Sequence, residues 1–281
     1  KSSEVEGLLN KFGAILFRGF NLNSPKQFKD LVSKYKLSSM SYSERTSPRT
    51  EVIDKIYTST DYPPDQIINM HNESSYSSAW PKQIMFYCNT PSITGGETPL
   101  ADSRFILSLL SERTREKFIR FGVMYRRTMG TEKGLGLTWM EVFQTDNIDE
   151  VIQHCKRSNI QSELKEDMLV LTWKRPAVQI HPATSQMVWF NHAYFYHPSV
   201  AYEEYMLDVL AADELPFCSY YGDGSEIEPD VVHELKEAYK KANVYIPWNH
   251  GDLMLVDNLL VAHGRNSFTG PRQILVAMFD Q

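Results

Sequence analysis

The sequence predicts a mainly β protein with flanking helices, and three observations carry that prediction. Short apolar runs of strand character recur at 14–20, 83–89, 121–127, 253–256, 259–263 and 274–279, and Gly or Pro turns separate several of them. An amphipathic pattern at 229–242 marks a helix beside them. No internal repeat or low-complexity linker divides the 281 residues, a length within the range of one elaborated β-sandwich or barrel. The economical reading is a single domain over 1–281 with an insertion or lid region at about 125–200.

Taken in order, residues 4–11 read as a short helix and 14–20 as a strand closed by a glycine. Ser24-Pro25 supplies an N-cap and a first-turn proline for a helix to about Lys34 that buries Phe28, Leu31 and Val32. The polar stretch 37–68 reads as loops with room for one short strand, and its Tyr57, Ser59 and Tyr62 are candidates for a pocket mouth. Residues 67–70 lead into His71, and 83–89 form a strand before a turn at 91–96. Two helices with a hinge near Ser111 fit 103–120. In the aromatic-rich centre, 146–158 is helical and 169–173 and 187–190 are strands. Val231, Val232, Leu235, Ala238, Tyr239 and Ala242 share one face of the helix at 229–242.

Composition narrows the function. The formal net charge of -6 with mixed signs lacks the basic stripe of a nucleic-acid binder. Cys88, Cys155 and Cys218 are widely spaced, without a Cys-x-x-Cys pair, which predicts reduced thiols in a cytoplasmic protein. No run is apolar enough to span a membrane and no signal peptide opens the chain. Asn72-Glu73-Ser74 fits the glycosylation sequon, but a glycan there would exclude any role for its neighbours as ligands.

Two His-x-acid pairs occur, His71-x-Glu73 and His250-x-Asp252. With eight His and ordinary acid content, roughly one such pair is expected by chance. Gly251 puts a bend inside the second pair. The first lies in a β-compatible stretch, where i and i+2 share a face and can reach one point. A second His would complete two His and a carboxylate, the facial set of non-haem Fe(II) oxygenases. His263, closing an apolar strand, is the candidate; alone it would read as a packed core histidine. Arg272 opens the next strand and offers a planar fork for the far carboxylate of 2-oxoglutarate, and Thr98 offers a hydroxyl. His181, His192 and His197 lie among the central aromatics and read as packed rings, or, if one is functional, as a substrate contact in a lid.

The stretches His71-Asn72-Glu73-Ser74-Ser75-Tyr76-Ser77, Gly95-Gly96-Glu97-Thr98-Pro99-Leu100-Ala101-Asp102 and His263-Gly264-Arg265 through Phe268-Thr269-Gly270-Pro271-Arg272 resemble the TauD/TfdA superfamily of Fe(II)/2-oxoglutarate dioxygenases. The resemblance extends through Trp189-Phe190-Asn191 and Tyr221-Gly222-Asp223-Gly224 over nearly the whole chain, and is nearest to the syringomycin-biosynthesis-type hydroxylases that accompany non-ribosomal peptide synthetases. It implies a double-stranded β-helix (jelly roll), iron on His71, Glu73 and His263, 2-oxoglutarate on Thr98 and Arg272, and dioxygen as the oxidant. Many members carry Asp where this chain has Glu73; Glu occurs in the branch that hydroxylates amino acids, including carrier-bound ones. Val276 stands where some members have a second Arg. Related halogenases replace the carboxylate with a small residue, so Glu73 favours hydroxylation.

The resemblance thus implies a hydroxylase of an unactivated carbon of an amino acid, presented by a peptidyl carrier protein in natural-product biosynthesis. Lys240-Lys241 is the basic patch available to an acidic carrier, and Asp257 or Asn258 is available to orient the ligating histidines. The alternatives are action on a free amino acid, desaturation or cyclisation, a non-catalytic jelly-roll binding protein, and a zinc hydrolase, which would have no use for Arg272.

Overall fold

The computed structural model describes residues 2–39, 50–59, 62–132, 134, 136–211 and 214–280. Its largest sheet is antiparallel, ordered Ala14–Phe17, Leu253–Asp257, Gln83–Thr90, Gln273–Asp280, Ile56–Thr58, Glu51–Ile53, with Ser38–Ser39 also pairing the long Gln273–Asp280 strand. The period of two in these strands gives the sheet two apolar faces. Ile84, Phe86, Val256, Ile274, Val276 and Met278 share a core with Val261 of a second sheet and with Leu259 and Leu260 of the turn before it. Met85, Tyr87, Leu255, Leu275 and Phe279 face the other way and are covered by Leu9 of helix Ser2–Phe12 and by Phe28 and Val32 of helix Pro25–Val32. Covering both faces requires near-continuous apolar strands, as Gln83–Thr90 and Gln273–Asp280 are.

The second sheet has the order Asn243–Val244, Leu100–Asp102, Val261–Arg265, Ile68–His71. Here Val261–Arg265 and Ile68–His71 run antiparallel with His263 opposite His71, and the register shifts between His263 and Arg265. Gly264 is what lets these strands close. A Cβ on it would lie 2.5 Å from the carbonyl oxygen of Ile68 and 3.2 Å from the amide nitrogen of Met70. The obstruction is backbone, which cannot swing aside as a side chain could.

A separate four-stranded antiparallel sheet comes from the middle of the chain, ordered Gln161–Lys165, Met168–Arg175, Val123–Gly130, Phe217–Tyr221. Its apolar residues join one core with helices Ser103–Leu109, Glu112–Phe121 and Pro229–Ala242. The six apolar positions expected on the last helix are its buried face. The short strand Met187–Trp189 ties this layer to the rest, with Val188 and Phe190 in the core of the large sheet and Trp189 in the central core.

Several expectations need adjustment. The stretch 37–68 holds three short strands at the edge of the large sheet rather than one, and Tyr57 is buried in the core instead of at a pocket mouth. Pro48 in that stretch lies outside the described residues. The strand expected from Leu259 begins at Val261, because Asp257 Oδ1 accepts the N–H groups of Leu259 (3.0 Å) and Leu260 (3.1 Å) and folds 257–260 into a turn. The hinge near Ser111 is the N-cap of helix Glu112–Phe121. Among the described residues, no helix is long and apolar enough to cross a membrane.

Gly264→Ala tests the close approach. One methyl against backbone should cost about 1–3 kcal/mol, read as a lower midpoint of chemical denaturation. It should also part His71 from His263, so that metal affinity falls further than stability does, measured by titrating the purified variant with Fe(II) under anaerobic conditions.

Candidate active site

His71, Glu73 and His263 converge, with one ligand atom from each lying within 4.8 Å of the others. The two imidazole centroids are 4.8 Å apart, and His263 Nε2 is 3.8 Å from Glu73 Oε2. The convergence does not arise as the i, i+2 rule suggested. The strand ends at His71, and Glu73 belongs to the turn after it, with Ser74 in the left-handed region at φ 55°. Asn258 sets this turn: its Oδ1 accepts the Glu73 N–H (2.7 Å), and its Nδ2 donates to the carbonyls of Glu73 (2.9 Å) and Pro81 (2.8 Å). Asn72 answers by donating to the carbonyl of Asn258 (2.7 Å) and to Ser103 Oγ (3.1 Å). Asn72 is fully buried in this lattice, which leaves no room for a glycan.

The orienting partners also differ from those expected. A carbonyl only accepts, so the 2.9 Å contact of His71 Nδ1 with the Asn69 carbonyl puts the proton on Nδ1 and leaves the Nε2 lone pair for a metal. Asp257 instead binds Nε2 of His181 (3.1 Å), whose Nδ1 accepts from the Thr184 N–H (3.1 Å). Nδ1 of His263 has no hydrogen-bond partner among the described residues, and its ring packs edge-on to Phe86. Two imidazoles and a carboxylate, clustered and largely buried, are a donor set that suits a divalent transition metal with positions left open. The decoy pair does not converge: Asp252 forms a bidentate pair with Arg18 (2.9 and 2.7 Å), while His250 turns to the Asn89 carbonyl (2.7 Å).

Arg272 lies across Gly96, donating from Nε to its carbonyl at 2.9 Å. A Cβ on Gly96 would come within 3.0 Å of Arg272 Cδ and Nε, so glycine is needed there. No carboxylate among the described residues pairs with this guanidinium. Burial, and then the nearby charge of Arg265, push its pKa down to about 10. An anion arriving at its two terminal nitrogens would relieve both effects. Thr98 is buried and accepts from Trp248 Nε1 at 3.1 Å, which turns its own O–H toward another acceptor. Trp248 was not visible as a site residue in the sequence, where its loop carries no motif.

A cavity of about 650 Å³ adjoins the three-donor cluster, lined by His71 and Glu73 and by Tyr62, Arg127, His192 and Phe195 among others. Arg127 is 5% exposed and stacks on Phe217 at 4.6 Å. Its sequence signal is phase: Val123, Tyr125 and Met129 are the buried apolar face of their strand, and Arg127 falls on the same face. His192 has its imidazole held well below its usual pKa by burial and then by the neighbouring His71 ring. Of the other central histidines, His181 is the Asp257 partner and His197 caps helix Pro198–Ala201.

Residues 1–278 match the family described as taurine catabolism dioxygenase TauD, TfdA. The chain is 36% identical over 280 residues to the dapdiamide synthesis protein DdaC of Enterobacter agglomerans, covering 98% of this chain and 84% of that protein. It is 29% identical to the clavaminate synthase-like protein At3g21360 of Arabidopsis thaliana, over 98% of this chain and 83% of the relative. The crystal structure of PvcB from Pseudomonas aeruginosa has a similar fold, with a TM-score of 0.56 at 16% identity over 99% of this chain and 79% of PvcB. With the family match spanning almost every residue and a 36% identical relative along the same length, the chain belongs to the TauD/TfdA family and is a non-haem iron dioxygenase dependent on Fe(II), 2-oxoglutarate and dioxygen.

Proposed function

We propose that Fe(II) is held by His71 Nε2, the Glu73 carboxylate and His263 Nε2, that Arg272 and Thr98 hold the far carboxylate of 2-oxoglutarate, and that the enzyme hydroxylates an unactivated carbon of an amino acid in natural-product biosynthesis. The observation that carries this reading is the three-donor cluster, two of whose members, His71 and Glu73, line the cavity; the half-buried Arg272 guanidinium, with no carboxylate partner among the described residues, supports the co-substrate part. The two packed sheets support a double-stranded β-helix within one domain over 1–281, and the sheet built on 123–130 and 168–175 supports reading 125–200 as an insertion that walls the cavity. Three buried cysteines, none in a disulfide among the described residues, support a reducing, cytoplasmic setting.

When bound, iron with 2-oxoglutarate and dioxygen supplies the oxidant for C–H hydroxylation, with succinate and carbon dioxide as the co-products. The chain's part is to orient and exclude. Asn69 fixes the His71 tautomer, Asn258 fixes Glu73, and Trp248 directs the Thr98 hydroxyl. Glu73 fills a coordination position with carboxylate, which supports hydroxylation over halogenation. The names of DdaC, a dapdiamide synthesis protein, and of PvcB, an oxygenase from an isonitrile synthetic pathway, support a biosynthetic role.

An amino acid on a peptidyl carrier protein is the first reading of the substrate. A free amino acid is the second, and the cavity rim favours it. Glu203 lines the rim and Glu204 and Asp208 are exposed on the helix beside it, an arrangement that repels an acidic carrier. Lys240 and Lys241 lie on helix Pro229–Ala242, none of whose residues line the cavity.

His71→Ala or His263→Ala should weaken Fe(II) binding by about 100-fold or more, measured by anaerobic titration, and abolish succinate release. Arg272→Met should raise the KM for 2-oxoglutarate by about 100-fold through loss of two charge-assisted bonds, and Arg272→Lys should recover only part, having charge without the fork. Because binding needs the guanidinium charged and the free protein holds its pKa at about 10, that KM should be flat below pH 10 and rise about tenfold per unit above it. A panel of free amino acids run beside the same amino acids loaded on a carrier protein should show a mass gain of one oxygen on one set. A gain confined to free substrates would eliminate the carrier-bound reading.

A further inference from the structure

We infer that His192 is a substrate-binding residue, presenting Nε2–H beside the metal cluster to a carbonyl or carboxylate oxygen of the substrate, with Ser75 fixing its tautomer. The inference rests on the amino-acid reading above and adds to it which group of the substrate is read.

The ring is pinned on every side. His192 is 3% exposed, and its Nδ1 lies 2.6 Å from Ser75 Oγ. Its backbone N–H donates to Tyr125 Oη (2.9 Å), and Asn191 braces the turn, donating to the Ala177 carbonyl (2.7 Å) and accepting the Ala193 N–H (2.8 Å). Tyr76 and Phe195 meet the imidazole edge-on at 5.0 and 5.2 Å, and Tyr196 lies against it at 4.8 Å. This preorganisation on packed neighbours is what a recognition donor requires.

The proton on the ring can be placed. Ser75 is 3% exposed, and Nδ1 of His192 is the one acceptor its hydroxyl has among the described residues. Were the hydroxyl to accept from Nδ1–H, its own proton would be buried without a partner, a costly state. The hydroxyl therefore donates, Nδ1 holds the lone pair, and the proton sits on Nε2. Nε2 has no protein partner among the described residues, and the ring lines the cavity with its centroid 5.5 Å from that of His71. A fixed donor facing a cavity beside a ligating histidine calls for an acceptor on the ligand. In an amino acid that acceptor is the carboxylate, and in a carrier-bound one the thioester carbonyl.

The test uses the iron-loaded enzyme with 2-oxoglutarate and four forms: wild type, His192→Phe, His192→Gln and Ser75→Ala. The probes are free L-amino acids, their pantetheine thioesters, and the corresponding decarboxylated amines. Succinate released without any probe reports the iron and co-substrate sites. For whichever carbonyl-bearing probes wild type oxidises, His192→Phe should lower kcat/KM by about 10- to 100-fold, with probe-free succinate release within about twofold. His192→Gln, which keeps an N–H donor at similar reach, should recover most of the loss, and the amines should not distinguish wild type from His192→Phe. Activity on acids against thioesters identifies which acceptor is bound. A second readout needs no substrate: in the zinc-loaded protein, imidazole nitrogen-15 spectra should show His192 protonated at Nε2, and Ser75→Ala should mix the tautomers. Undiminished oxidation by His192→Phe, an equal loss on the amines, collapse of probe-free succinate release, or a proton on Nδ1 would each overturn the inference. If wild type releases succinate but oxidises no probe, the amino-acid reading falls, and the nitrogen-15 spectra alone decide the assignment of the donor.

Discussion

The active-site region depends on one cross-strand pair. His71 and His263 are register partners on antiparallel strands, a relation that brings Cα atoms within about 5.5 Å. A slip of one residue would turn one imidazole to the opposite face. The shift in register just beyond His263, and the glycine that allows contact with Ile68–Met70, hold the pair at the end of its ladder. The ladder stops there, and the chain is free to turn and deliver Glu73. Regular structure supplies two of the three donors, and its termination supplies the third.

That third donor is fixed from a distance in sequence. Asn258 belongs to the turn between Leu253–Asp257 of the large sheet and Val261–Arg265 of the small one, and it grips the Glu73 backbone through both ends of its amide. Asp257, one residue earlier, holds His181 of the central region. One short turn thus connects both sheets, the carboxylate turn and the segment leading to His192. Buried polar contacts of this kind matter as a set, since each leaves its neighbours unsatisfied when it is lost.

The parts legible in the sequence were those whose chemical type is rare in its setting: a histidine closing an apolar strand, an arginine opening the next, a glycine pair before Thr98. The amphipathic helix Pro229–Ala242 and the long core strands were legible because burial imposes a period. What stayed hidden depends on partners far along the chain. The geometry of Glu73 is decided 185 residues away by Asn258, and the Thr98 hydroxyl is turned by Trp248, 150 residues on. Nothing in Gln161–Lys165 marks a strand, because it is an exposed edge with almost no buried side chain to impose alternation. His192 is silent for a related reason, since a histidine among aromatics reads as packing until the residue is placed on the wall of a cavity.

Arg265 follows His263 by two positions, and among the described residues its guanidinium donates only to main-chain carbonyls, those of Tyr62 (2.9 Å), Pro63 (2.5 Å) and Gln66 (2.8 Å). The strand that carries His263 therefore also clasps the loop that forms one wall of the cavity, mainly through the loop's backbone, with the Tyr62 ring 5.9 Å from the guanidinium as a side-chain contact. Gln66 and Ile67 line the cavity beside these anchor points, so their side chains can change while the main-chain grip stays in place. The strand that presents His263 to the three-donor cluster thus also sets where this wall stands, which makes side chains of the loop the place to alter the shape of the cavity.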